Sequence, residues 1–158
     1  MMYKNYDSDD TCVLLHDCYA DKIELNDNVI TVYFDNGFWV TPNHKNNNLN
    51  YTVRTDSSKT EFFIDREYFE TIKIYVFKKN LFGSVIRKEL ELDKLINLVN
   101  SEKYNLEFIY QYKGDNRLTI FECWIHSNNR RYPIECHIYF PIEKIVYCWN
   151  NLCENAKW

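Results

Sequence analysis

Glycine and proline are scarce, with three of each in 158 residues. So few glycines exclude a phosphate-cradling glycine-rich loop and a nucleophile elbow, both of which need glycines at fixed spacing. No stretch rich in Gly, Ser or Pro offers a linker, so residues 1–158 are expected to form a single domain. Long apolar runs are missing too, none approaching the ~20 residues of a membrane-spanning helix. The start, Met1 to Asp10, is polar and acidic and lacks the basic opening and apolar stretch of a secretory signal. A loose N-terminus on a cytoplasmic protein is therefore expected, with the six cysteines as free thiols. Positive charge is not in excess: 19 Lys and Arg against 23 Asp and Glu leave a net charge of −4. That removes the general electrostatic pull toward nucleic acid or an anionic membrane.

What the chain has in plenty is aromatic residues, with 13 Tyr, 10 Phe and 4 Trp. With so little Gly and Pro, this mix favours strands. Strands are expected at Thr11–Leu15, Tyr19–Leu25, Val29–Asp35, Thr60–Ile64, Thr71–Lys78, Ser84–Glu91 and Lys144–Trp149. Asn36-Gly37 is the strongest short hairpin signal and sets Phe34 opposite Trp39. The polar run from Pro42 to Asn50 reads as a mobile loop, a natural place for binding. One short helix is expected near residues 93–101, capped by Asp93, with Leu95, Ile96 and Val99 on one stripe. After it the chain returns to strands and ends in a tail, 150–158, that Trp158 docks. The fold class is mostly β: antiparallel meanders forming a sandwich or a partly open barrel.

Residues 104–140 are the most informative segment. A turn at Ser127-Asn128-Asn129-Arg130 pairs His126 with Arg131 and puts Phe121, Cys123, Ile125, Tyr132, Ile134, Cys136 and Ile138 on one apolar face. A turn at Lys113-Gly114-Asp115-Asn116 sets Phe108 opposite Phe121. The outer face then carries Glu122, Trp124 and His126 beside Glu135, His137 and Tyr139. The same registers line up Glu107, Glu122 and Glu135 as a row of carboxylates, an arrangement that like-charge repulsion disfavours unless water or a cation relieves it.

Four constellations suggest chemistry. Cys123, His126, Cys136, His137, Cys148 and Cys153 resemble a scattered zinc set, but strand parity sends Cys123 and His126 to opposite faces, as it does Cys136 and His137, and a tetrahedral site needs converging ligands. His16-Asp17-Cys18 shows no oxyanion site or positioned base, so a catalytic cysteine is not expected. Glu107, Glu122, Glu135 and His137 have the groups for acid–base work or metal binding but sit on a flat face, a poor reactor. No metal and no cofactor is called for. The fourth reading is a docking surface, with Glu107, Glu122, Trp124, Glu135, His137 and Tyr139 as aromatic anchors and charges for another protein. Ligand binding inside the β fold, or carbohydrate stacking on exposed Trp and Tyr, is the alternative. A small hydrolase using the carboxylate row comes third.

The chain is also rich in Asn, Lys, Ile, Tyr and Phe and poor in Ala, Gly and Arg, the bias of AT-rich codons. Through Leu15-His16-Asp17-Cys18, Tyr33-Phe34-Asp35-Asn36-Gly37-Phe38-Trp39, Phe108-Ile109-Tyr110-Gln111-Tyr112, Phe121-Glu122-Cys123-Trp124 and Tyr147-Cys148-Trp149-Asn150-Asn151-Leu152, it resembles a group of small proteins of undefined activity from low-GC Gram-positive bacteria. The resemblance spans nearly the whole chain and implies no functional residue. In being small, acidic and single-domain it is also similar in type, without a shared motif, to immunity proteins of polymorphic toxin systems. That likeness implies binding and neutralisation of a cognate toxin domain, one whose basic surface would suit the acidic row.

Overall fold

The computed structural model describes residues 3–80, 82–127 and 131–158. In chain order its elements are β1 (Asn5–Asp7), β2 (Val13–Leu14), β3 (Cys18–Ala20), β4 (Lys22–Asn26), β5 (Val29–Phe34), β6 (Trp39–Val40), β7 (Val53–Thr55) and β8 (Ser58–Ile64). A 3₁₀ turn, Arg66–Thr71, leads to β9 (Lys73–Lys79), β10 (Val85–Glu89) and the helix α1 (Leu92–Val99). Then come β11 (Tyr104–Lys113), β12 (Leu118–Ser127), β13 (Ile134–Trp149) and β14 (Leu152–Lys157). All ladders are antiparallel, and the strands divide into a ten-stranded and a four-stranded sheet.

β13 is the spine. Its N-terminal half pairs with β12 on one edge and β9 on the other, and its C-terminal half pairs with β8 and β1. β8 and β9 thus lie end to end along it. The turn between them starts where the Asp65 side chain accepts from Glu67 N, an N-cap. From β13 the main path runs through β12 and β11 to β3, and the other way through β8 and β5 to β4. These two ends are consecutive in sequence, separated by Asp21 alone. The sheet therefore curls until its edges meet at that residue, and it stops short of a closed barrel because β3 and β4 do not pair with each other.

The curl wraps an aromatic core, in which Phe62 and Phe140 lie 5.2 and 6.1 Å from the Phe121 ring and Phe108 touches both Phe121 and Phe34. Leu95 and Val99 of α1 are buried in the same cluster. Asn100, just past the helix, accepts from Ile23 N and donates to Ile23 O, both at 2.8 Å, and so stands in for a neighbouring strand on β4.

Several expectations change. Asn36-Gly37 does not close a hairpin, because β5 pairs with β8 and β6 belongs to the four-stranded sheet, leaving Phe34 opposite Ser58 rather than Trp39. The glycine is needed for a different reason: its φ is +69°, and a Cβ there would stand 2.2 Å from Thr55 O. The loop from Pro42 to Asn50 is tied down, with Asn47 donating to Thr41 O and Tyr51 O and His44 buried against Trp149. Glu91 rather than Asp93 holds the N-cap position, and Asp93 lies in the first turn. The polar start supplies β1, and the tail supplies β14, which pairs with β7. Lys144–Trp149 is the far end of one long strand, not a strand of its own.

Candidate functional site

Alternation along the strands places the face expected to be solvated on the outside of β12 and β13, as parity requires. The registers, however, differ by two residues from the expected ones. Glu122 stands opposite His137 and Trp124 opposite Glu135, while Cys123 faces Cys136 on the buried side. Of the turn expected to set this register, Asn128 to Arg130 lie outside the described residues. Because a shift of two preserves faces, the core assignment survives except for Tyr132, which is exposed beyond the end of the ladder. On the other side β11 also runs out of the expected register, with Tyr110 opposite Glu122 and, past a one-residue bulge at Ile109, Phe108 opposite Cys123 and Glu107 opposite Trp124. The row of carboxylates therefore does not form.

Glu107 leaves the surface altogether. It is 6% exposed, accepts from His126 Nε2 at 2.7 Å and bonds to the Tyr19 hydroxyl. That bond, with burial, pushes the tyrosine pKa up to about 12. The carboxylate is a structural buried acceptor and has no part in a docking face.

The other five residues do come together. Glu122, Trp124, Glu135, His137 and Tyr139 lie on one face of two adjacent strands, with His137 Nε2 2.9 Å from Glu135 Oε1. The face continues onto β9, where Tyr75 pairs with His137 and Phe77 with Glu135. Phe77 packs on the His137 ring at 4.7 Å, Tyr75 meets Tyr139 edge-on at 5.7 Å, and Arg87 of β10 lies 4.7 Å over Tyr75. In the opposite direction it runs onto β11, where Tyr110 and Tyr112 are each half exposed and the Tyr112 hydroxyl reaches Glu122 Oε2. Strands β10, β9, β13, β12 and β11 thus present a continuous outer field of rings set among charges of both signs.

Sequence reasoning missed Tyr75, Phe77 and Arg87 as part of this field. The signal was visible in β9, whose Tyr75 and Phe77 carry apolar weight on the side opposite Ile74 and Val76. What was missing was the knowledge that β9 lies beside β13. Among the described residues, no three of His, Cys, Asp and Glu gather as a metal site would require, and no helix is long and apolar enough to cross a membrane. Comparison with protein-family models, curated proteins and solved structures finds no match to this chain.

Proposed function

We propose that this protein is a binding module that docks another protein on the outer face of β10, β9, β13, β12 and β11. One observation carries the reading: Tyr75, Phe77, Tyr110, Tyr112, Trp124 and Tyr139 share a solvent-facing sheet surface that an antiparallel sheet ordinarily fills with polar side chains. Rings of this kind, fringed by charge, are what an interface uses as anchors. Charges of both signs surround them, with Arg87 at one edge and Glu122 and Glu135 within, so the partner is complementary in pattern rather than simply basic. Neutralisation of a toxin domain is the concrete form of this reading, supported by likeness of type to immunity proteins.

The test is capture of a stoichiometric partner by the immobilised protein, repeated with Trp124→Ala and with Tyr6→Ala. Tyr6 is as exposed as the anchors but lies on β1, away from the field. Trp124→Ala should weaken binding by about 2 kcal/mol, roughly thirtyfold, and Tyr6→Ala should not. A partner held equally well by both variants would place the interface elsewhere.

A further inference from the structure

β3 accompanies β11 only from Leu106 to Phe108. Beyond the bulge at Ile109, the same edge of β11 has no strand beside it among the described residues. Gly114 N donates to Leu118 O at 2.8 Å, and hydrogen-bonded pairs alternate along an antiparallel ladder. Tyr112 and Tyr110 therefore bond across to β12, while Gln111 and Lys113 direct their main-chain N–H and C=O groups to the free edge. An open cleft of about 350 Å³ runs along this edge. Its lining is mainly apolar, with Leu14, Leu15, Ile109 and Phe121, and it also includes His16, Tyr110 and Trp158. The Gln111 amide nitrogen lies buried there without an acceptor. At the far end Lys113 Nζ and Asp10 Oδ2 pair at 2.5 Å, so the mouth carries no net charge.

We infer that this cleft binds an extended peptide, which continues the line of β3 as an added strand on Gln111 and Lys113 and seats an apolar side chain against Leu14, Ile109 and Phe121. Donors and acceptors repeating at every second residue of a strand match another extended main chain, the recognition mode of strand addition. A compact hydrocarbon would fill the walls but leave those groups and the Gln111 amide unpaired in a partly dry site, at the cost of their desolvation. The neutral mouth selects an uncharged segment, and the apolar walls take a side chain of leucine or valine size. The site meets the docking field only at Tyr110, which packs on His16 and also lines the cleft; Gln111 and Lys113 point to the cleft, whereas Tyr112, alternating with them, points to the field.

The probe is the capped peptide acetyl-Thr-Leu-Thr-Val-amide, titrated into the intact protein and followed by amide resonances and hydrogen exchange. Saturable shifts at Gln111 and Lys113, with slowed exchange at both, are expected. Methylating one alternating set of the peptide's nitrogens should weaken binding at least tenfold, and methylating the other set should leave it unchanged. Leu14→Trp, which fills the cleft, should also cost at least tenfold, while Trp124→Ala should change nothing and so separates this site from the docking face. Absence of saturable shifts, an equal response to the two methylation patterns, or unchanged binding in Leu14→Trp would each overturn the inference. Should Leu14→Trp fail to fold, the two methylated peptides decide the matter on the unaltered protein.

Discussion

The His126 ring donates from Nε2 to Glu107 Oε2 at 2.7 Å, across the β11–β12 ladder in which Trp124 stands opposite Glu107. The docking field thus adjoins, at one end, a polar cluster centred on the buried Glu107, since Tyr19 of β3 bonds to the same carboxylate. Removing the acceptor leaves two donors without a partner, which is worse than never having had the group.

Glu107→Ala should therefore destabilise the fold by about 2–4 kcal/mol, whereas Glu135→Ala, on the exposed end of the field, should stay within about 0.5 kcal/mol. Urea unfolding of both variants measures this. Equal costs would mean that the two carboxylates share one environment.

Asp7 gives a pH signature. Burial pushes its carboxyl pKa up, but the hydrogen bond from Lys45, the main-chain N–H of Asp9 and the nearby His44 outweigh that and hold it at about 2. His44 Nδ1 accepts from Asn46 N, so Nε2 carries the proton that reaches Asp7. A carboxylate depressed in the folded state stabilises it fully above the unfolded value, near 3.8, and loses that contribution as pH falls toward about 2. The wild type should lose stability through this window more steeply than Asp7→Asn, as unfolding curves at successive pH values will show. Parallel curves would remove Asp7 from the acid response.

Asn100 offers the sharpest test of how β4 is held. Asn100→Ala deletes both bonds to Ile23 and should cost about 1–3 kcal/mol, with faster hydrogen exchange at the Ile23 amide. Asn100→Asp keeps the acceptor for Ile23 N but not the donor, and should protect that amide better than alanine does. If the Ile23 amide exchanges at one rate in all three proteins, the side chain does not serve as a strand surrogate.

The thiols sort by depth. Burial pushes Cys18 and Cys136 up to about 12 and Cys148 to about 11, Cys12 and Cys123 are buried, and Cys153 alone is exposed. A thiolate-specific reagent near pH 8 should modify one residue quickly in the folded protein, and six after unfolding without reductant. Fewer than six in the unfolded chain would reveal a disulfide or another blocked thiol.

Local alternation made much of this fold legible. Phe121, Cys123, Ile125, Cys136 and Ile138 declared the core because period-two patterning is a property of each strand, and it survived a register error of two residues. What failed were features set by distant partners. Asn36-Gly37 has the chemistry of a hairpin turn, yet Thr55 and the second sheet decide which way the chain leaves it. The bulge at Ile109 has no glycine to announce it, and the carboxylate row that the sequence suggested fails because both ladders run in longer registers than the turns implied. Glu107 looked like a surface charge because neither His126 nor Tyr19 could be placed beside it without knowing that β3 flanks β11. The docking field was half visible for the same reason: Trp124 and Tyr139 lie on the hairpin itself, whereas Tyr75 and Phe77 arrive from a strand that precedes the helix.

Asp21 bears on how the molecule breathes. Between most neighbouring strands a seam is held by hydrogen bonds that open and reclose one at a time, but at Asp21 the two ends of the sheet are joined by the polypeptide itself. Ala20 and Lys22 cannot separate by more than about 7 Å, the reach of two residues. Fluctuations that widen the cylinder must therefore peel β3 from β11 or β4 from β5 rather than part the edges. Opening is channelled to the two strands beside the junction.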